Sequence, residues 1–140
     1  MADRFINEGT CIPGGEMIPK LLAPASIKKK PDLAVNVYKM IAHTPPAGAA
    51  AALRGRAQRK DYTASLQNIA VPTLIFVGTE DAYTTVETAA RMHQSITNAR
   101  IEIFEGIGHM PNLEATDHFN AFIHDFLAGI PSSNEVDRAQ

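Results

Sequence analysis

The stretch Thr73-Leu74-Ile75-Phe76-Val77 constrains this chain more than any other, because it is continuously apolar, partly β-branched, and closed by Pro72 and Gly78. A run that is apolar at every position rather than alternating suits a strand buried on both faces, and such strands belong to parallel sheets covered by helices. The residues downstream extend the pattern. Thr84 and Glu87 have capping-box spacing, and Val86, Ala89, Ala90, His93 and Ile96 give a helix ending near Asn98 a single apolar stripe. Ile101 to Phe104 is then a second strand. Strand, crossover helix, strand predicts a parallel, right-handed βαβ unit. A final helix, capped by Thr116, turns Phe119, Phe122, Ile123, Phe126 and Leu127 inward and stops at Gly129.

Upstream of Asp61 the rhythm is different. Leu33, Val37, Met40 and Ile41 recur at helical spacing behind Pro31, which predicts an amphipathic helix ending near His43. Thr44 offers an N-cap for an alanine-rich helix over residues 47 to 59. Phe5, Ile6, Met17, Ile18, Leu21 and Leu22 read as two short helices broken at Pro13, Gly14 and Gly15. The expected organisation is therefore a helical segment over 1–60, an α/β segment over 61–128, and a polar tail over 129–140 expected to be disordered.

With 140 residues and a formal net charge of −2, the chain has the size of one domain and no basic footprint for nucleic acid or an anionic membrane. No apolar run approaches the roughly 20 residues of a membrane span, and no signal peptide is visible at Met1. A single cysteine, Cys11, excludes an internal disulfide and a cysteine-pair metal site, which suits a reducing, cytoplasmic setting.

Two loops stand at the C-terminal ends of the strands, where ligands bind in open parallel sheets: Gly78-Thr79-Glu80-Asp81 and Gly106-Ile107-Gly108-His109. Neighbouring strands lie about 4.8 Å apart, so adjacent strands would bring Asp81 and His109 within hydrogen-bonding reach. Such a carboxylate fixes the imidazole tautomer and leaves the other ring nitrogen as a general base. Taken alone, Asp81 reads first as a turn residue and His109 as an exposed loop histidine. Their equivalent placement on consecutive strands favours the functional reading.

Other features argue for structure. Thr10-Cys11-Ile12-Pro13 follows no strand and precedes no helix, so Cys11 reads as a small buried thiol. Ser26 falls in a loop, Ser65 and Ser95 in helical stretches, and Ser132 and Ser133 in the tail. His118 and His124, six apart on one helix, face different sides and make no metal pair. Lys28-Lys29-Lys30 reads as a solvated loop.

The residues around the two loops resemble the α/β-hydrolases. Val71 to Asp81 is similar to that family's penultimate strand with its acid, Gly106-Ile107-Gly108-His109-Met110-Pro111-Asn112-Leu113-Glu114 to the last strand's histidine loop, and Phe119 to Leu127 to the final helix. Residues 57–61 resemble the exit from the family's helical cap. The resemblance implies the C-terminal portion of an α/β-hydrolase fold, a helical cap segment followed by two parallel strands with flanking helices. It implies a Ser-His-Asp triad acting without a cofactor on a small-molecule carboxylic ester, lactone or similar acyl bond. Asp81 and His109 match the triad positions, but the sequence contains no Gly-x-Ser-x-Gly elbow. The nucleophile would come from a missing N-terminal half, and the isolated chain is expected to be inactive. Met110, beside the histidine, and Met17, Leu21 and Met40 in the cap are candidate substrate contacts, although core packing would give the same spacing. The strand at 73–77 would expose an apolar edge that recruits another chain, so the alternative is a non-catalytic half-domain that self-associates or binds a partner there.

Overall fold

In the computed structural model, residues 1–130 are described; the tail from Pro131 onward, with Ser132 and Ser133, lies outside them. Five helices come first: α1 (Ala2–Glu8), α2 (Cys11–Leu21), α3 (Pro24–Lys29), α4 (Pro31–Ala42) and α5 (Pro46–Ala57). A 3-10 turn over Thr63–Asn68 leads into β1 (Thr73–Gly78), α6 (Val86–Ser95), β2 (Ala99–Phe104), α7 (Pro111–Glu114) and α8 (Thr116–Ala128). β1 and β2 pair in parallel with Thr73 opposite Ala99 and Gly78 opposite Phe104. The expected order, a helical segment followed by two parallel strands with flanking helices, is the architecture observed.

Prolines set much of the helix punctuation. Pro24, Pro31, Pro46 and Pro111 each open a helix at its first positions, where the missing N–H has no intrahelical partner to lose. The same reasoning corrects the expected break at Pro13, Gly14 and Gly15. α2 runs straight through them, since Pro13 occupies the first turn and the Gly14 amide donates to the Thr10 carbonyl at 2.9 Å. A Cβ at Gly14 would stand 2.8 Å from Ile41 Cγ2, so this glycine serves the close approach of α2 to α4. The chain breaks instead at Gly9, where φ is 75°.

Three expected caps also move. Thr44 donates its hydroxyl back to the Met40 carbonyl and finishes α4, leaving Pro45 to cap α5. Thr85, not Thr84, caps α6 by accepting from the Thr88 amide, because the Thr84 amide is taken by Asp81. Thr116 lies inside α8 and bonds the carbonyls of Asn112 and Leu113. α7, unseen in the sequence, occupies the stretch before it.

One face of the sheet packs Ile75 and Val77 on Ala89 and Ile96, with Val86, Met92 and Ile101 at the margin. Met92 thus joins the inward stripe expected of α6. The other face carries Phe76 and Phe104, whose rings meet Phe119 at 4.5 and 6.4 Å between centroids. α8 has no fully buried residue, and Leu127 is 59% exposed where an inward position was expected, because two strands are too narrow to cover the whole helix. In the helical half, Ile18, Leu22 and Val37 form a separate cluster with Leu21, Ile41, Met110 and Leu113 packed against it. Met110 and Leu113 come from the histidine loop and α7, so this cluster joins the two halves.

Candidate active site

The carboxyl ends of β1 and β2 lie side by side, held by backbone contacts that leave no room for a side chain. The Thr79 amide donates to the Phe104 carbonyl and the Glu80 amide to the Ile107 carbonyl, at 3.0 and 2.9 Å. A Cβ on Gly78 would lie 2.1 Å from the Ile107 carbonyl oxygen, so only glycine lets the histidine loop fold across the end of β1. Asp81 and His109, each on the loop after its strand, meet beyond this junction.

His109 Nδ1 stands 2.8 Å from Asp81 Oδ2. The second carboxylate oxygen, Oδ1, accepts the amides of Tyr83 at 2.7 Å and Thr84 at 3.0 Å. The turn role weighed for Asp81 is thus met by Oδ1, while Oδ2 faces the imidazole. Its side chain is 6% exposed and that of His109 37%, so the acid is shielded while the imidazole stays reachable. Burial pushes the Asp81 carboxyl up, but the His109 ring and the Tyr83 and Thr84 amides outweigh it and hold the group below the usual carboxylate range. The carboxylate can thus accept an Nδ1–H and orient the ring, leaving Nε2 for proton transfer. Tyr83 sets its ring edge-on to the imidazole at 5.0 Å, and the Arg56 guanidinium lies 5.4 Å from the Tyr83 centroid. The sequence reading singled out neither residue; Tyr83 follows Asp81 by two positions, but Arg56 comes from α5 and has no local signal.

Of the four candidate substrate contacts, the structure brings Leu21 and Met110 to His109. The His109 amide donates to the Leu21 carbonyl at 2.9 Å, and Met110 adjoins it in sequence; both side chains also pack on the Ile18–Leu22–Val37 cluster. Met17 and Met40 line a different apolar groove of about 330 Å³ with Phe5, Ile41 and Leu53. Leu53 also borders a second cleft, lined by Arg56 and Tyr83.

Glu114 is the residue that sequence reasoning passed over. It is 4% exposed, and its carboxyl accepts the amides of Ala23, Gly108 and Met110. The one local sign was an acid in the first turn of a helix opened by proline; the Ala23 partner is 91 residues away.

Several expectations change. Cys11 is exposed and begins α2, because the Thr10 carbonyl starts the helix there. Ser26 lies buried within α3 rather than in a loop. Lys28 and Lys29 belong to α3, and Lys30 donates to the Glu114 carbonyl at 2.8 Å. His118 packs between the Phe104 and Phe122 rings, while His124 stands 3.6 Å from Asp125. Among the described residues no group of three potential metal ligands occurs, and no serine, threonine or cysteine side chain bonds the His109 ring.

The family model described as TAP-like protein, one of the α/β-hydrolase models, matches residues 42–131, well over half of the chain. The chain belongs to the α/β-hydrolases. A thermophilic esterase from Thermogutta terrifontis superposes with a TM-score of 0.86 at 31% identity, over 91% of this chain and 47% of that one. The enol-lactonase from Burkholderia xenovorans gives 0.84 at 24% identity over 91% and 48%, a likeness of fold. Among curated proteins, 3-oxoadipate enol-lactonase 1 from Acinetobacter baylyi is 31% identical over 102 residues, 73% of this chain and 38% of that protein. Proline iminopeptidase from Lactobacillus helveticus is 40% identical over 67 residues, 48% of this chain and 22% of the other. This α/β-hydrolase chain thus spans about half the length of the structures it matches and less of those curated relatives, all of which carry hydrolase names. No helix among the described residues is long and apolar enough to cross a membrane.

Proposed function

We propose that this chain supplies the acid and the base of a Ser-His-Asp hydrolase acting on a carboxylic ester, lactone or similar acyl bond. The observation that carries the reading is the 2.8 Å contact between His109 Nδ1 and Asp81 Oδ2 at the ends of adjacent parallel strands. Asp81 accepts the Nδ1–H; Nε2 takes the proton of a serine hydroxyl as it attacks the acyl carbon, then returns it to the leaving oxygen as the tetrahedral intermediate collapses. Water repeats the sequence on the acyl-enzyme. The serine lies outside this sequence, which has no Gly-x-Ser-x-Gly elbow, so the chain alone is inactive. Helices α1 to α5 act as the cap, with Met110 and Leu21 beside the base. Met17 and Met40 extend an apolar surface for the acyl or alcohol part of a small-molecule substrate. A reducing, cytoplasmic setting fits the exposed lone Cys11.

The test is serine-directed fluorophosphonate labelling read by intact mass. The chain alone should take no adduct. Mixed with a polypeptide carrying the elbow serine, it should direct labelling to that serine, and His109→Ala should abolish the labelling. Adduct formation that survives His109→Ala contradicts the assignment.

A second reading draws on the sheet. Among the described residues it has two strands, so β1 keeps one edge without a strand partner. A half-domain that self-associates or binds a partner through that edge would use it directly. Light scattering separates the readings: a concentration-dependent dimer lost on Leu74→Pro favours the binding module, and a monomer disfavours self-association.

A further inference from the structure

We propose that Glu114 is a positioning residue for His109, fixing the backbone of the base to the helical half of the molecule. The inference rests on the reading of His109 as the base. Loops after strands usually leave their amides to water and move accordingly. Here three consecutive amides end on buried or half-buried acceptors. Gly108 and Met110, on either side of the histidine, donate to Glu114 Oε1 at 3.0 and 3.2 Å, and His109 itself donates to the Leu21 carbonyl at 2.9 Å. Glu114 Oε2 accepts the Ala23 amide at 2.8 Å, and Lys30 Nζ holds the Glu114 carbonyl from the same side at 2.8 Å.

The junction has no slack, since a Cβ at Gly108 would stand 2.7 Å from the Ala23 nitrogen and 2.9 Å from the Leu22 carbonyl carbon. All three groups facing the Glu114 carboxyl are donors, so both oxygens must accept. A glutamine of the same shape would turn its NH₂ toward an N–H and leave a buried donor unmet. Asp81 can orient the imidazole only if the backbone that carries it is fixed, and Glu114 fixes that backbone without touching the ring.

The experiment is two-bond ¹H–¹⁵N correlation of the imidazoles in the full chain, unmodified and as Glu114→Gln, at a pH where the rings are neutral. The unmodified chain should show His109 as the Nδ1–H tautomer. Glu114→Gln should raise the minor Nε2–H tautomer about fivefold, the factor worth one lost hydrogen bond. The Val77 and Ala89 methyl resonances should stay in place, which separates positioning from general loosening. A folded Glu114→Gln with an unchanged tautomer ratio overturns the inference and leaves the role of His109 standing. An Nε2–H tautomer in the unmodified chain instead removes the reading of His109, and the inference with it. If Glu114→Gln does not fold, hydrogen exchange of the unmodified chain decides. One common rate for the Ala23, Gly108 and Met110 amides supports a shared acceptor; three unrelated rates overturn it.

Discussion

The two halves of this molecule are held together by different physics. In α1 to α5 the ion pairs lie at the surface, Arg4 with Glu8 and Glu16 at 2.8 and 2.6 Å and Arg54 with Asp3 at 2.7 Å, beside a small apolar cluster and one part-buried bond from the Thr10 hydroxyl to the Ala42 carbonyl at 2.8 Å. At the ends of β1 and β2 the contacts are backbone against backbone, with Gly78 and Gly108 pressed to neighbouring carbonyls and amides. Ion pairs between exposed side chains tolerate substitution and shift with salt; packed backbone does not. The proposed acid and base stand on the second kind of support. The proposed cap, whose apolar lining would choose the substrate, stands on the first, which leaves it free to vary.

That contrast breaks most readily at Gly78. Gly78→Ala puts a methyl 2.1 Å from a carbonyl oxygen and should destabilise the α/β half by more than the roughly 1–3 kcal/mol of ordinary overpacking, read by urea denaturation. Wild-type stability in this variant would contradict the close-packed junction. Gly108→Ala, 2.7 Å from the Ala23 nitrogen, comes next at about 1–3 kcal/mol, with the loss appearing first as faster amide exchange at Ala23 and His109.

Acid should weaken the strand-end site first. The folded Asp81 carboxyl is held below its ordinary value of 3.8, so its contribution to stability is present above that value and is lost as pH falls through the lower folded one. Thermal melts from pH 5 down should therefore show a loss that Asp81→Asn flattens; an unchanged slope in the variant would mean that the aspartate is not held as described. The smallest effect belongs to Arg4→Ala. It should speed exchange in α1 in a salt-dependent way while leaving the β1 and β2 amides unchanged, and slowed or quickened strand exchange would show that the halves are coupled there as well.

The α/β half was the more legible in sequence, because its signals are local. Thr73 and the four apolar residues that follow it, closed by Gly78, specify β1, and loops of matching position bring Asp81 to His109 once the strands pair. Two of the misplaced caps share a cause: a threonine hydroxyl can bond forward as a cap or back to a carbonyl, and those of Thr44 and Thr116 bond back. At the third, Asp81 takes the Thr84 amide that a capping box would offer to Glu87, and Thr85 caps the helix instead. The break expected at Gly14 failed because the reason for that glycine is Ile41, 27 residues on and visible only after folding. Glu114 and Arg56 were hidden in the same way, by partners on the other half of the molecule. Leu127 was placed inward because periodicity marks the apolar face of a helix and not how much surface is there to meet it.

The pairing of Asp81 with His109 is tested most directly by the ¹⁵N imidazole spectrum of the chain, recorded for the unmodified protein and for Asp81→Asn. His109 should carry its proton on Nδ1 in the unmodified chain and switch to the Nε2–H form once the carboxylate is replaced by an amide that can donate to Nδ1. A His109 already protonated on Nε2, or a spectrum that Asp81→Asn leaves unaltered, would contradict the pairing.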